Sequence, residues 1–223
     1  MINSSKKLAI GIVIALFLPL LAFCHPPVYV AKDIHGQVID EETGRPVADA
    51  IVVARWGLRQ EVVPGFAYSD GSLKIIETAT DGNGRYSISG WGPIPRPPFH
   101  FLDDADPELI VFKNGYDALG LGNRTLEAPN SAIVRTSMWD GKVLKLQRPK
   151  GTPEDQANRL SSAYTSLWMS ASQLRSFPKL FLAMNAERKR LISMGIRPEY
   201  AVGLPDLEGL DEKHREILRG LEK

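Results

Sequence analysis

The residues best suited to chemistry are the acidic residues that follow His100, namely Asp103, Asp104 and Asp106. Carboxylate oxygens are the ligands that Ca²⁺ takes in proteins, and His100 with Asp103 and Asp104 would also suit a hydrolase. A calcium loop needs about six or more oxygens, and no Glu stands at the distance such a loop requires. The simpler interpretation is an acidic turn that leads into a strand at Leu109.

A second set of candidates consists of aromatic side chains on which a sugar could stack: Trp56, Trp91, Trp139 and Trp168. Trp168 lies on the apolar face of a predicted helix, which indicates packing. Trp56 and Trp91 adjoin predicted loops, so we keep them as candidate ligand-binding residues. Packing in the core is the alternative for both.

Motifs of common enzyme classes are absent from the sequence. We find no Gly-x-Ser-x-Gly, no Walker phosphate loop and no Gly-x-Gly-x-x-Gly after a strand. The single cysteine excludes an internal disulfide and every metal site built from several cysteines. These absences predict a protein that is not an enzyme and that carries no cofactor and no metal.

The charge balance argues against nucleic acid as a partner. The 223 residues include 27 Lys and Arg against 26 Asp and Glu, a net charge of +1, and the longest basic run is 188–190. Such a chain lacks the positive field that phosphate backbones require. Its 43% hydrophobic content is enough for one buried core with an extension.

The N-terminus has the layout of an export signal over residues 1–24. Lys6 and Lys7 precede an apolar run at 8–23, and Cys24 ends it. The run is shorter than the roughly 20 apolar residues of a spanning helix, so an uncleaved anchor is the less favoured interpretation. The Leu-Ala-Phe-Cys that ends it resembles a bacterial lipobox, which implies lipidation of Cys24, and ordinary cleavage after Cys24 is the alternative. We expect an exported chain in the periplasm or at the outer membrane, where a lipid on Cys24 would attach it to a membrane.

The scaffold for these candidates begins with two apolar runs, 34–39 and 47–54, on either side of a polar hinge at 40–46. This pattern predicts strand, turn and strand. The second run is apolar on both sides, so we expect its strand to lie between two covered faces. Asp40 supplies a side-chain acceptor and Gly44 a positive φ, as a turn needs.

Further strands follow along the chain. We interpret residues 55–77 as a long excursion, with turn signals at Pro64-Gly65 and Asp70-Gly71 and a minor strand at 72–78. The proline-rich segment 90–98 is interpreted as a surface loop. Asp140-Gly141 predicts a final hairpin. The expected strands lie over residues 34–39, 47–54, 72–78, 85–89, 108–112, 131–138 and 142–147.

Residues 34–52 and 80–86 carry a family pattern: Ile-x-Gly-x-Val-x-Asp-x-x-Thr-Gly-x-Pro-Val-x-x-Ala-x-Val, then Thr-Asp-x-x-Gly-x-Tyr. The pattern closely resembles the carboxypeptidase regulatory-like domain, a transthyretin-like β-sandwich. The resemblance implies a mainly β, Greek-key sandwich of about seven strands over residues 25–149. It also implies a domain ancillary to zinc carboxypeptidases, and their metal-binding His-x-x-Glu follows none of the four histidines here.

Residues 150–223 form a predicted helical extension. Thr152 can cap the first helix, Pro178 starts a second that stops at Gly195, and Asp211 can cap a short third. The extension is too small to fold alone, so we expect it to pack on the sandwich or on another protein.

These features predict a non-catalytic exported protein of the cell envelope that serves as a binding or structural module for a protein or glycan partner. One alternative is a carbohydrate-binding module that uses Trp56 or Trp91. The other is a hydrolase with an unrecognised site near His100, Asp103 and Asp104.

Overall fold

The computed structural model describes residues 25–63, 66–103, 105–123, 132–166 and 171–220. Within these ranges the chain forms eleven strands, three α-helices and two short 3₁₀-helices. The strands are β1 (Val28–Ala31), β2 (Ile34–Asp40), β3 (Ile51–Val63), β4 (Phe66–Ala79), β5 (Arg85–Ile88), β6 (Trp91–Pro95), β7 (His100–Leu102), β8 (Glu108–Phe112), β9 (Leu119–Leu121), β10 (Val134–Arg135) and β11 (Lys142–Leu146). The helices are α1 (Pro153–Ser166), η1 (Ala171–Ser176), α2 (Pro178–Ser193), η2 (Pro198–Ala201) and α3 (Glu212–Arg219).

The strands build a sandwich from one large and two small sheets. The large sheet has the order β4-β3-β8-β9, with β7 also paired to β3, and the small sheets are β10-β1-β6 and β11-β2-β5. Side chains of β1, β2, β5 and β11 share one core with β3 and β8. The predicted class, a mainly β sandwich with helices after it, is confirmed. More strands form than the predicted seven or so, because several are short pairings that carry little sequence signal.

Strand β3 is covered on both faces, as its sequence predicts. Val52 and Ala54 point into the core between the sheets. Ile51 and Val53 alternate with them and pack against the helices on the opposite side. This follows from the two-residue period of a strand, and it gives the molecule three layers: small sheets, large sheet and helices.

Two predicted hairpins are instead connections between sheets. Strand β2 belongs to a small sheet and β3 to the large one. Likewise β10 runs parallel to β1, and β11 runs parallel to β2, so β10 and β11 do not pair. The Asp140 carboxylate accepts a hydrogen bond from the His35 N–H at 2.8 Å, which fixes this turn against the start of β2. A turn motif specifies a chain reversal but not the sheet that receives the next strand.

Two loop predictions are also wrong. Most of the expected excursion over 55–77 lies in β3 and β4, which pair from Ile51 with Ala79 to Val63 with Phe66. Most of the expected loop at 90–98 is strand β6, paired with β1. Its prolines are tolerated because β6 is an edge strand, where one side needs no backbone donor.

A buried polar cluster joins the helices to the sandwich. Glu187 on α2 is fully buried. Its Oε1 accepts hydrogen bonds from Gln156 at 2.8 Å and from Arg190 at 2.6 Å. Its Oε2 accepts from Asn114, just after β8, at 3.2 Å. Because both oxygens have donors, the cost of burying this carboxylate is offset.

Candidate functional site

The sequence candidates gather at one end of the large sheet. Beyond Trp56 the β3–β4 hairpin continues through residues 57–63 and 66–72, which we call the distal hairpin. Strand β7 pairs with its β3 side, with Leu58 opposite Leu102 and Gln60 opposite His100. The elements that carry the predicted site residues therefore meet around the distal hairpin.

Trp56 and Trp91 form an edge-to-face pair at the base of the distal hairpin. Their ring centroids lie 5.2 Å apart with an interplanar angle of 89°. Trp56 is 1% exposed, so its faces are closed to a sugar in this conformation. Trp91 is only partly buried and retains some surface. Glycan binding at these residues stays a prediction, and Trp91 is the ring that could carry it.

His100 is held by two oxygens. Its Nε2 lies 2.8 Å from the Asp70 carboxylate, and its Nδ1 lies 2.6 Å from the Pro98 carbonyl oxygen. Asp70 belongs to β4, so this contact links β7 across the distal hairpin. The sequence did not indicate Asp70 as the partner of His100, because the pairing depends on the length of the hairpin.

Asp103 points to a different partner. It forms an ion pair with Arg59 at 2.9 Å, and both side chains are partly exposed. Asp104 lies outside the described residues. Among the residues that are described, no three His, Cys, Asp or Glu side chains are grouped so that they could hold a metal ion. His100 and Asp103 therefore contact different partners, Asp70 and Arg59, and the hydrolase site stays a prediction.

The buried member of the acidic run is Asp106, which the sequence placed among the candidate residues but not in the proposed hydrolase site. Its two carboxylate oxygens accept hydrogen bonds from the N–H groups of Gly57 and Asp103, each at 3.0 Å. Burial raises the pKa of Asp106 to about 7, against the opposing effect of the nearby Arg135 and Arg55. These bonds fasten the turn after β7 to β3, where the β3–β4 register shifts at Gly57. Its role is to hold the base of the distal hairpin in place.

Four apolar side chains are exposed at the far end of the distal hairpin. Val62 is 60% exposed, Val63 56%, Phe66 66% and Phe99 76%. Val63 and Phe66 are cross-strand partners, and the Phe99 carbonyl accepts a hydrogen bond from the N–H of Glu61 at 3.0 Å. We call these four residues the apolar tip. The sequence prediction missed it, because an excursion with a strand only at 72–78 would not present these four residues together.

The backbone of Phe99 supports a role for this surface. Its φ is +62°, in the left-handed region that side chains other than Gly rarely adopt. The ring is nonetheless the most exposed of the tip. Here an unfavourable backbone conformation presents an apolar ring to solvent, a combination that favours binding over packing.

The first described residue lies beside the same hairpin. The His25 ring stacks on Phe101 of β7, with centroids 4.1 Å apart and an interplanar angle of 3°. Cys24 lies outside the described residues, so its lipidation stays a prediction. Within the described ranges, no helix combines the length and the apolar composition needed to span a bilayer.

Comparison with known proteins gives similar structures only. No family model matches the chain, and no curated protein matches it. A 3-chlorocatechol 1,2-dioxygenase from Rhodococcus opacus is 16% identical over 54% of this chain and 61% of its own, with a TM-score of 0.33. A catechol 1,2-dioxygenase from Pseudomonas arvilla is 17% identical over 56% and 54%, with a TM-score of 0.30. A pilus 2b backbone protein of group B streptococcus is 12% identical over 54% and 42%, with a TM-score of 0.27.

These similarities correct one expectation. We predicted that the chain is not an enzyme, and that prediction is contradicted because the similar structures include catechol and hydroxyquinol dioxygenases. The chain spans less than two thirds of the length of each of these three enzymes.

Proposed function

We propose that the chain is an exported module of the cell envelope that contacts another envelope component through the apolar tip. The observation that carries this proposal is the exposure of Val62, Val63, Phe66 and Phe99 at the end of a hairpin that extends past the sandwich core. Scattered apolar residues are normal on surfaces, but a cluster of large ones marks an interaction site.

The arrangement around the tip supports a binding role. The base of the distal hairpin is fixed by the buried Asp106, and its flank by the contact between His100 and Asp70. A rigid support of this kind lowers the entropy cost of binding, because the contacting side chains are already in position. The tip is thus exposed on a hairpin whose base and flank are fixed by these contacts.

The finer features of the module are also part of this proposal. Residues 1–24 would act as the export signal, with Cys24 as the lipid attachment site, and place the chain in the periplasm or at the outer membrane. Residues 25–149 would form the sandwich, with its resemblance to carboxypeptidase regulatory-like domains, and residues 150–223 the helical extension. Proteins and glycans are the partner classes expected from the sequence, with Trp91 as the residue open to a glycan.

Hydroxyl-radical footprinting tests the proposal without assuming the class of partner. The full chain would be oxidised in isolated envelopes and again after purification free of envelope material. Phe66 and Phe99 should react several-fold more slowly in envelopes, because a partner covers them. Met194, exposed in the helical layer, provides the internal control and should react equally in both. Equal oxidation of the tip in the two samples would refute the proposed contact.

A further inference from the structure

We infer that the envelope component covering the apolar tip is the lipid surface of a membrane, to which the N-terminus brings the tip. The inference rests on the proposed function and identifies its partner by chemistry. It follows from the position of His25, from the size of the tip and from the charges around it.

His25, the first described residue, lies against the strand that pairs with the distal hairpin. His25 stacks on Phe101, which pairs with Arg59 on β3. The Pro27 carbonyl accepts a hydrogen bond from the Arg96 N–H at 2.9 Å, which holds Pro27 against the segment between β6 and β7. Cys24 is adjacent to His25, and one residue spans at most about 3.6 Å. A lipid on Cys24, or the apolar run before it, would therefore hold this end of the molecule at the membrane.

The apolar tip lies close to that point. Phe99 is two residues before Phe101, and its carbonyl bonds to the N–H of Glu61. Val62 and Val63 continue the strand from Glu61 by about 3.3 Å per residue. A lipid attached at Cys24 would thus place the apolar tip close to the lipid surface.

The size and composition of the tip favour lipid over protein. A specific protein interface buries about 800 Å² on each partner and uses roughly 20–30 residues a side, whereas the tip offers four apolar side chains. Aliphatic and aromatic side chains are what enter the boundary between headgroups and acyl chains. Tyr68, partly exposed on β4 behind the tip, suits the headgroup level.

The charges near the tip indicate insertion by apolar contact and not attraction to anionic lipid. Arg59 is paired with Asp103 at 2.9 Å, and Glu61 and Arg96 both act on His25, so the charges beside the tip are of both signs. No cluster of basic residues accompanies the four tip residues in the sequence around them.

Photocrosslinking of the full chain tests the inference. Photoreactive benzoylphenylalanine would replace Phe66 or Phe99, and in the control protein Val202, which is 80% exposed in the helical layer. After irradiation of envelopes, we expect lipid adducts at positions 66 and 99 and none at position 202. In vesicles of phosphatidylcholine, with and without phosphatidylglycerol, the adduct yield should stay the same. Circular dichroism shows whether each variant is folded. If the variant at position 66 does not fold, the variant at position 99 alone tests the inference.

Other outcomes overturn the inference. Adducts to protein or glycan at the tip would assign it to that partner, and the proposed function would survive. Lipid adducts that require phosphatidylglycerol, or that form equally at 202, would also contradict it. The proposed lipid attachment is tested separately by the intact mass of the mature protein. A mass that corresponds to a chain starting at His25, with no lipid, would contradict the attachment.

Discussion

Glu77 on β4 supplies the cap of helix α2, more than a hundred residues further along the chain. Its Oε1 accepts a hydrogen bond from the Leu180 N–H at 2.7 Å, and its Oε2 accepts from the Lys179 N–H at 3.0 Å. The residue before the helix, Phe177, has no side chain that can cap it. A carboxylate at this end also interacts favourably with the helix dipole. The sandwich therefore completes a structural requirement of the helical layer.

Replacing Glu77 with Ala should destabilise the protein by about 1–2 kcal/mol, since two backbone donors at the start of α2 lose their acceptor. Urea unfolding followed by circular dichroism measures the change. Glu41→Ala, at an exposed glutamate on the hinge, is the matched control and should change stability by less than about 0.5 kcal/mol. Equal effects of the two substitutions would show that the cap contributes nothing.

Asp106 should make the protein less stable as pH rises from about 4 to about 7. Burial raises the pKa of Asp106 from 3.8 to about 7, so over this range the folded chain binds a proton that the unfolded chain has lost. Stability then falls with pH, because the folded state holds more protons. Urea midpoints measured across this range should show the slope in the wild type, and Asp106→Asn should flatten it. Asp49→Asn, at an exposed carboxylate, should leave the slope unchanged.

Asp40 should have the opposite effect in acid. Hydrogen bonds from the Thr43 N–H and the Tyr116 hydroxyl lower the pKa of Asp40 from 3.8 to about 2. The stability that they supply is present above about pH 4 and is lost as pH falls toward 2. Tyr116→Phe removes the donor 2.8 Å from Asp40 Oδ2 and should raise the carboxyl pKa, as followed by NMR titration. An unchanged pKa in this variant would contradict the assigned cause.

Gly36→Ala should destabilise the small sheet that contains β2. A Cβ at this position would lie 2.5 Å from the hydroxyl oxygen of Tyr86, its cross-strand neighbour, and the buried Tyr86 ring has little room to move. We expect a cost of about 1–3 kcal/mol in urea unfolding. Gly120→Ala, where a Cβ meets nothing within 4 Å, is the control. The cost should shrink in a Tyr86→Leu background, and its persistence there would argue against the clash.

The local features of the fold could be predicted because they depend on neighbours in the sequence. The Asp40 side chain accepts from the Thr43 N–H, and Gly44 takes a φ of +67°, as the hinge pattern indicates. Thr152 and Asp155 bond to each other at the start of α1. Asp211 caps α3 by accepting from the His214 N–H.

The candidate site could not be predicted in the same way, because it depends on pairing over long distances. The turn residues around Pro64 and Gly71 suggested short pieces, whereas tertiary pairing extends β3 and β4 into one hairpin. That hairpin places Asp70 beside His100 and exposes Phe66. Neither contact has a signal within a short window of sequence.

The double coverage of β3 has a consequence for how this chain can be divided. A fragment that stopped at residue 149 would expose Ile51, Val53, Ile110 and Phe112 along one continuous side of the large sheet. Such a fragment would tend to self-associate, because a large uncovered apolar face binds other apolar surfaces. A fusion of this sandwich to an unrelated sequence would therefore fold well only if that sequence packed apolar side chains over those four residues.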